Sequence, residues 1–200
     1  GDDLTNLYVA QDANYWYLSF DGASVSSVVG LYLDLDHRDD SGAATDPRGY
    51  AVSTVPAHRP EYAIYILPQG GGLDTASVYV YEWQPGVGWS SAVPLASGDY
   101  VFDGAQFAMR VAHTLIGMED TTQSTAVALF TVRESGQGPR DAVPTQPGVL
   151  DGAPATLGRF ASVSDRLVVV QPPNLAGNES VAYPTMLPFF WHPPVGVPWY

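Results

Sequence analysis

No cysteine and no lysine occur in this chain. The first absence excludes a disulfide framework and any thiolate chemistry or thiolate metal site. The second leaves eight arginines as the only fixed cations against 21 carboxylates, a formal net charge of -13. A nucleic-acid partner needs a basic face to neutralise phosphates, and an anionic membrane surface needs the same, so both are excluded on charge. Long apolar runs are missing too, and with them any candidate membrane-spanning helix. No secretory leader pattern is legible, so Gly1-Asp2-Asp3 reads as a processed start or as a cut from a longer chain. Helical periodicity is nearly absent. What remains is a 200-residue, 46% hydrophobic sequence, enough to bury one large core.

Period-two alternation fills the space that helices leave. Leu7-Tyr8-Val9-Ala10 and Tyr15-Trp16-Tyr17-Leu18-Ser19-Phe20 read as a hairpin around Gln11-Asp12-Ala13-Asn14. Val28 to Asp36 puts Leu31, Leu33 and Leu35 on one face and Tyr32, Asp34 and Asp36 on the other. Glu61 to Leu67 is apolar on both faces, as a central strand would be. Ser77 to Trp83, Gln106 to Val111, Ala126 to Val132 and Arg166 to Val170 follow, and His113 to Gly117 suits one helical turn. Strands at short intervals predict an all-β fold, an antiparallel β-sandwich of jelly-roll or immunoglobulin-like type, over residues 1–170. The Gly- and Pro-rich stretch 135–157 reads as a long loop or a boundary. Residues 171–200 form a tail rich in proline and aromatics, which predicts extended backbone packed on the sandwich or on a partner.

One stretch concentrates charge. Asp34 and Asp36 share a strand face, and the loop after them carries Asp39, Asp40 and Asp46. Carboxylates this close repel, so water, Arg38 or Arg48, or a hard cation must offset them. The spacing is not that of an EF-hand. Counted from Asp34, Asp39 falls where that loop needs Gly, and Thr45 where it needs Glu. A solvated turn braced by Arg38 and Arg48 is the competing reading.

Sugar sites use flat rings with polar groups at their edges. Trp83 and Trp89 flank the Pro85-Gly86 turn, and Tyr81 shares a face with Trp83; with Tyr50 they are the candidate stacking residues, unless they are core rings. Asp99 with Asp103, or Glu119 with Asp120, could be paired as glycosidase carboxylates, but nothing marks either pair. His37, His58, His113 and His192 are scattered without zinc-ligand spacing. The chain reads as a non-enzyme.

The order of motifs is specific. Asp3-Leu4-Thr5-Asn6-Leu7-Tyr8-Val9-Ala10 leads to Tyr15-Trp16-Tyr17-Leu18, then to Gly30-Leu31-Tyr32-Leu33-Asp34-Leu35-Asp36 and Pro60-Glu61-Tyr62-Ala63-Ile64-Tyr65. Phe107-Ala108-Met109-Arg110-Val111 precedes a Leu-Ile-Gly turn, and Asp141-Ala142-Val143-Pro144 follows the next strand. Across residues 3–170 this resembles the C-terminal β-sandwich domains of glucodextranases and amylopullulanases. Those are similar to family 9 carbohydrate-binding modules and the wider DOMON-like group. The resemblance implies a non-catalytic domain on an exported glycoside hydrolase, extracellular or at the cell surface, joined to a neighbouring domain. It implies a polysaccharide ligand, an α-glucan, and calcium, for which the residues offer Asp34 and Asp36 with some of Asp39, Asp40 and Asp46. Haem, bound by some DOMON-like domains, would need an axial His or Met, and Met109, Met118 and Met186 read as core or loop residues. The alternative is a structural or interdomain module with no sugar ligand.

Overall fold

A computed structural model describes residues 3–12, 14–22, 25–70, 72–118, 124–133, 136–149, 152–163, 167–170 and 180–182. Two antiparallel sheets account for most of it, as the alternation predicts. From edge to edge the first sheet runs Ser180–Ala182, Leu167–Val170, Leu7–Gln11, Tyr15–Asp21, Gln106–Ala112, Tyr100–Phe102. The second runs Asp141–Val143, Thr125–Val132, Val28–Asp34, Tyr62–Gln69, Gly72–Gln84, Gly88–Trp89, with Ala161–Val163 and Val93–Pro94 as side pairings. Among the described residues helix is confined to two single 3-10 turns, Pro56–His58 and His113–Leu115. Among the described residues no helix is long and apolar enough to cross a membrane.

The Leu7–Gln11 and Tyr15–Asp21 hairpin closes because the Asp12 carboxylate accepts from the backbone N–H groups of Asn14 and Tyr15, at 2.7 and 2.8 Å. Its inward residues, Leu7, Val9, Trp16, Leu18 and Phe20, meet Leu31, Leu33, Ile64, Ile66 and Val78 of the second sheet in one core. Alternation thus places one face of each sheet in the sandwich interior.

The second sheet is also buried on its outer face. Tyr32, Ala63, Tyr65, Tyr81, Ala128 and Phe130 form a separate cluster there, covered by Tyr50, Val52, Ala142 and Leu157. Ala142 and Leu157 of this cover come from the stretch 135–157, which the sequence reads as a long loop or a boundary. Asp141–Val143 extends the sheet beside Thr125–Val132, and Ala155–Leu157 pairs in parallel with Val52–Thr54. Buried Gln146 holds this cover together: its amide donates to the carbonyls of Pro144 and Arg159 and accepts from the N–H groups of Gly158 and Arg159. Sequence patterning misses this because the segment packs through scattered small residues rather than a periodic face. At the other end of the chain, Ser180–Ala182 pairs with Leu167–Val170, so strand pairing continues past residue 170. The rest of the expected tail, Met186 included, lies outside the described residues.

Gly30 makes the outer cluster possible. A Cβ there would lie 2.4 Å from the Phe130 ring and 2.9 Å from that of Tyr65. Both rings are fully buried and cannot withdraw. Gly30→Ala should therefore destabilise the protein by about 1–3 kcal/mol through overpacking. Chemical denaturation of the two proteins checks this, and an unchanged midpoint would show that the rings repack freely.

Candidate functional site

The loop that follows Val28–Asp34 divides the five aspartates between different tasks. Asp46 folds inward over the outer face of the second sheet and is buried. Its Oδ2 accepts from the Tyr32 hydroxyl at 2.6 Å and from the Tyr65 hydroxyl, and its Oδ1 from the N–H groups of Arg48 and Tyr50 at 2.8 and 3.0 Å. Arg48 lies over the Tyr65 ring, 5.7 Å from its centroid, and donates to the Tyr81 hydroxyl at 2.9 Å. Asp46 is therefore the polar centre of the tyrosine cluster and not part of a shared cation site with Asp34 and Asp36. Asp40 pairs with Arg59 at 2.7 Å, and Asp39 stays exposed; neither joins Asp34. Of the five expected aspartates, the structure groups Asp34 with Asp36 and places the other three elsewhere. The loop turns back after His37 and Asp40, both at positive φ (52° and 63°), which sends its later carboxylates away from the strand face.

Asp34 gathers other partners. It is 1% exposed. Its Oδ1 accepts from the His37 N–H at 2.9 Å, while its Oδ2 lies 2.9 Å from His58 Nδ1 and 3.7 Å from His37 Nδ1. His58 arrives on the Pro56–His58 turn and stacks on Phe160 at 4.8 Å. That turn is held to the loop by the Asp40 N–H on the Pro56 carbonyl and the Ala43 N–H on the Pro60 carbonyl. Gly42 permits this contact, since a Cβ there would strike the Arg59 carbonyl at 2.2 Å. His37 and His58 are thus not isolated, as their spacing suggests; tertiary folding brings both to one carboxylate.

On the other side of Asp34 stand Asp36 and Glu61, close enough for the three carboxylates to share an ion. Glu61, which was not among the expected ligands, accepts from the Leu35 N–H and the Ser41 hydroxyl at 2.8 and 2.9 Å. Asp36 accepts from the Arg38 N–H and competes with Glu61 for the one Ser41 hydroxyl proton, its Oδ1 lying 2.8 Å from that oxygen. Burial holds the Glu61 carboxyl above its ordinary range, with the two hydrogen bonds opposing and the charges of Asp36 and Asp34 adding to it. Its position at the foot of the Tyr62–Gln69 strand, which pairs with Val28–Asp34, is the signal that could have found it.

The aromatic candidates separate as well. Tyr50 and Tyr81 are 9% and 7% exposed and belong to the outer cluster, so their rings have no free face for a sugar. Trp83 and Trp89 are cross-strand partners, half-buried, but their rings meet edge to face at 71° and 5.7 Å rather than forming a flat platform. The indole N–H of Trp89 donates to the Thr45 carbonyl at 2.6 Å. Beside that contact lies an open depression of about 490 Å3, walled in part by Thr45, Tyr50, Ser53, Pro154 and Thr156. Asp99 is paired with Arg110, and Asp103 caps the turn at Ala105 and Gln106. Glu119 and Asp120 lie outside the described residues. Met109 and Met118 are core residues.

The Asp46 cluster makes two measurable demands. Asp46→Ala strips two buried hydroxyls and two backbone N–H groups of their acceptor and should cost about 3 kcal/mol or more; Asp46→Asn should cost less, because it keeps one acceptor oxygen. Denaturant midpoints rank the three proteins, and equal midpoints would remove Asp46 from its central place. Burial, reinforced by the Asp46 charge, pushes the hydroxyls of Tyr32 and Tyr65 well above the ordinary phenol value. The folded state then holds those protons more tightly than the unfolded state. That stability is complete below pH about 10 and drains away as pH rises beyond it. An ultraviolet titration should show late phenols ionising together with the loss of near-ultraviolet circular dichroism.

Comparison with known proteins gives no matching family model, no matching curated protein and no matching solved structure.

Proposed function

We propose that this chain is a non-catalytic β-sandwich module that holds a polysaccharide for an exported glycoside hydrolase, with an α-glucan as ligand. The observation that carries this reading is the open depression beside Trp89. Thr45, Ser53 and Thr156 line it together with Val52 and Pro154, a mix of hydroxyl-bearing and apolar residues that suits a pyranose ring. It is open, as a site for a chain passing over a surface should be. Trp89 is tied to the lining residue Thr45 through its indole N–H, and Trp83 meets it edge-on. The acidic surface, at -13 overall, suits a neutral polymer and keeps exported proteins apart. The α-glucan, the parent enzyme and the extracellular or cell-surface setting rest on the motif resemblance. Calcium belongs to the same reading, narrowed to Asp34, Asp36 and Glu61.

One observation favours the rival, an interdomain module without a sugar ligand: two of the four expected sugar-stacking rings serve the outer core instead. Affinity electrophoresis in gels containing starch, pullulan, dextran or cellulose separates the two readings. The α-glucan gels should retard the protein, and Trp89→Ala should restore its free mobility while leaving the far-ultraviolet spectrum intact. Unretarded migration in every gel would favour the interdomain module.

A further inference from the structure

We propose that Asp34, His37 and His58 form a binding site for a divalent first-row transition ion, with zinc as the ion their donor set suits best. The argument begins with a tautomer. His37 Nε2 lies 3.1 Å from the Ser124 carbonyl oxygen. A carbonyl only accepts, so Nε2 carries the hydrogen of that bond. In the neutral ring, Nδ1 is then a bare lone pair. It points towards Asp34 Oδ2 at 3.7 Å, too far for a hydrogen bond and with an acceptor at each end. A cation seated between the two atoms would satisfy both at once. His58 aims its own Nδ1 at the same oxygen, at 2.9 Å.

The three donor atoms lie within 4.8 Å of one another. Tetrahedral zinc, with bonds of about 2.0 Å to nitrogen and oxygen, separates its ligand atoms by about 3.3 Å, between the two spacings seen here. Small imidazole rotations close the difference. The supporting contacts are those such ligands need. The Ser124 carbonyl fixes the His37 tautomer, the His37 N–H holds Asp34 Oδ1, and Phe160 steadies the His58 ring. On binding, the His58 proton moves from Nδ1 to Nε2, leaving Nδ1 free to ligate. The side chains of His37 and His58 are 36% and 31% exposed, which gives the ion a way in and leaves a fourth position for water. Two imidazoles and one carboxylate select against calcium, which takes oxygen ligands. The nearby Asp36 and Glu61 add negative charge without supplying nitrogen.

Zinc and calcium are titrated separately into chelator-treated full-length chain by calorimetry, and cobalt(II) is followed by visible absorption. Zinc should bind with one-to-one stoichiometry and raise the melting temperature, and cobalt should develop the intense d–d bands of a low-coordinate site. His37→Asn keeps a residue that tolerates the positive φ at this position, and His58→Gln keeps a polar side chain on the turn. Each should weaken zinc binding by at least about tenfold, with an unchanged far-ultraviolet spectrum. Asp39→Asn, at an exposed loop carboxylate that does not join Asp34, should leave the zinc affinity within about threefold. Zinc affinity that is unchanged in both histidine variants, or a calcium response in place of a zinc response, would overturn the proposal. The glucan gels run without metal report on the module reading separately, so the two can fail independently.

Discussion

A single buried carboxylate decides what the second sheet can do. Asp46 sits over an outer sheet face that would otherwise be open to solvent, and four donors converge on it. Two are phenols rising from neighbouring strands; two are backbone groups of the loop itself. The geometry works in both directions. The tyrosines need an acceptor because their hydroxyls are buried, and the carboxylate needs donors because it has left water. Meeting both needs ties the loop to the sheet and lets Tyr50, Val52 and Leu157 complete a second hydrophobic layer.

Fixing that loop has a consequence at its other end. With Asp46 anchored inward, the chain between Asp36 and Asp46 must arch out and return, and it does so against the Pro56–Pro60 segment. His58 is carried to Asp34 by this contact, and His37 by the turn at positive φ. The two most buried aspartates of the loop therefore have opposite surroundings. Asp46 is saturated by neutral donors and serves as structure. Asp34 faces two imidazoles near the surface, with the carboxylates of Asp36 and Glu61 close by.

The same sheet explains why the aromatic candidates fare differently. Tyr79, Tyr81 and Trp83 share the outer face of the Gly72–Gln84 strand, but the cover thins towards its end. Tyr81 is enclosed beneath Arg48, whereas Trp83 reaches the margin and meets Trp89 edge to face. One residue pattern thus yields a core ring and a rim ring within a single strand.

Taken alone, the sequence determined the strands, the hairpin at Asp12, the central position of Tyr62–Gln69 and the burial of Leu31, Leu33 and the facing valines. Those follow from local alternation and turn chemistry, which act between near neighbours along the chain. It also determined that Asp34 and Asp36 leave the strand together. Only the tertiary structure decided that Asp46 turns away from them, that Glu61 joins them, and that Ala142 and Leu157 pack over the outer face of a sheet. It alone brought His37 and His58 to one oxygen. These are contacts between segments up to about a hundred residues apart, as in the pairing of Ser53 with Thr156. Their formation depends on which face of a sheet remains uncovered once the first core has closed, and no local periodicity carries that information.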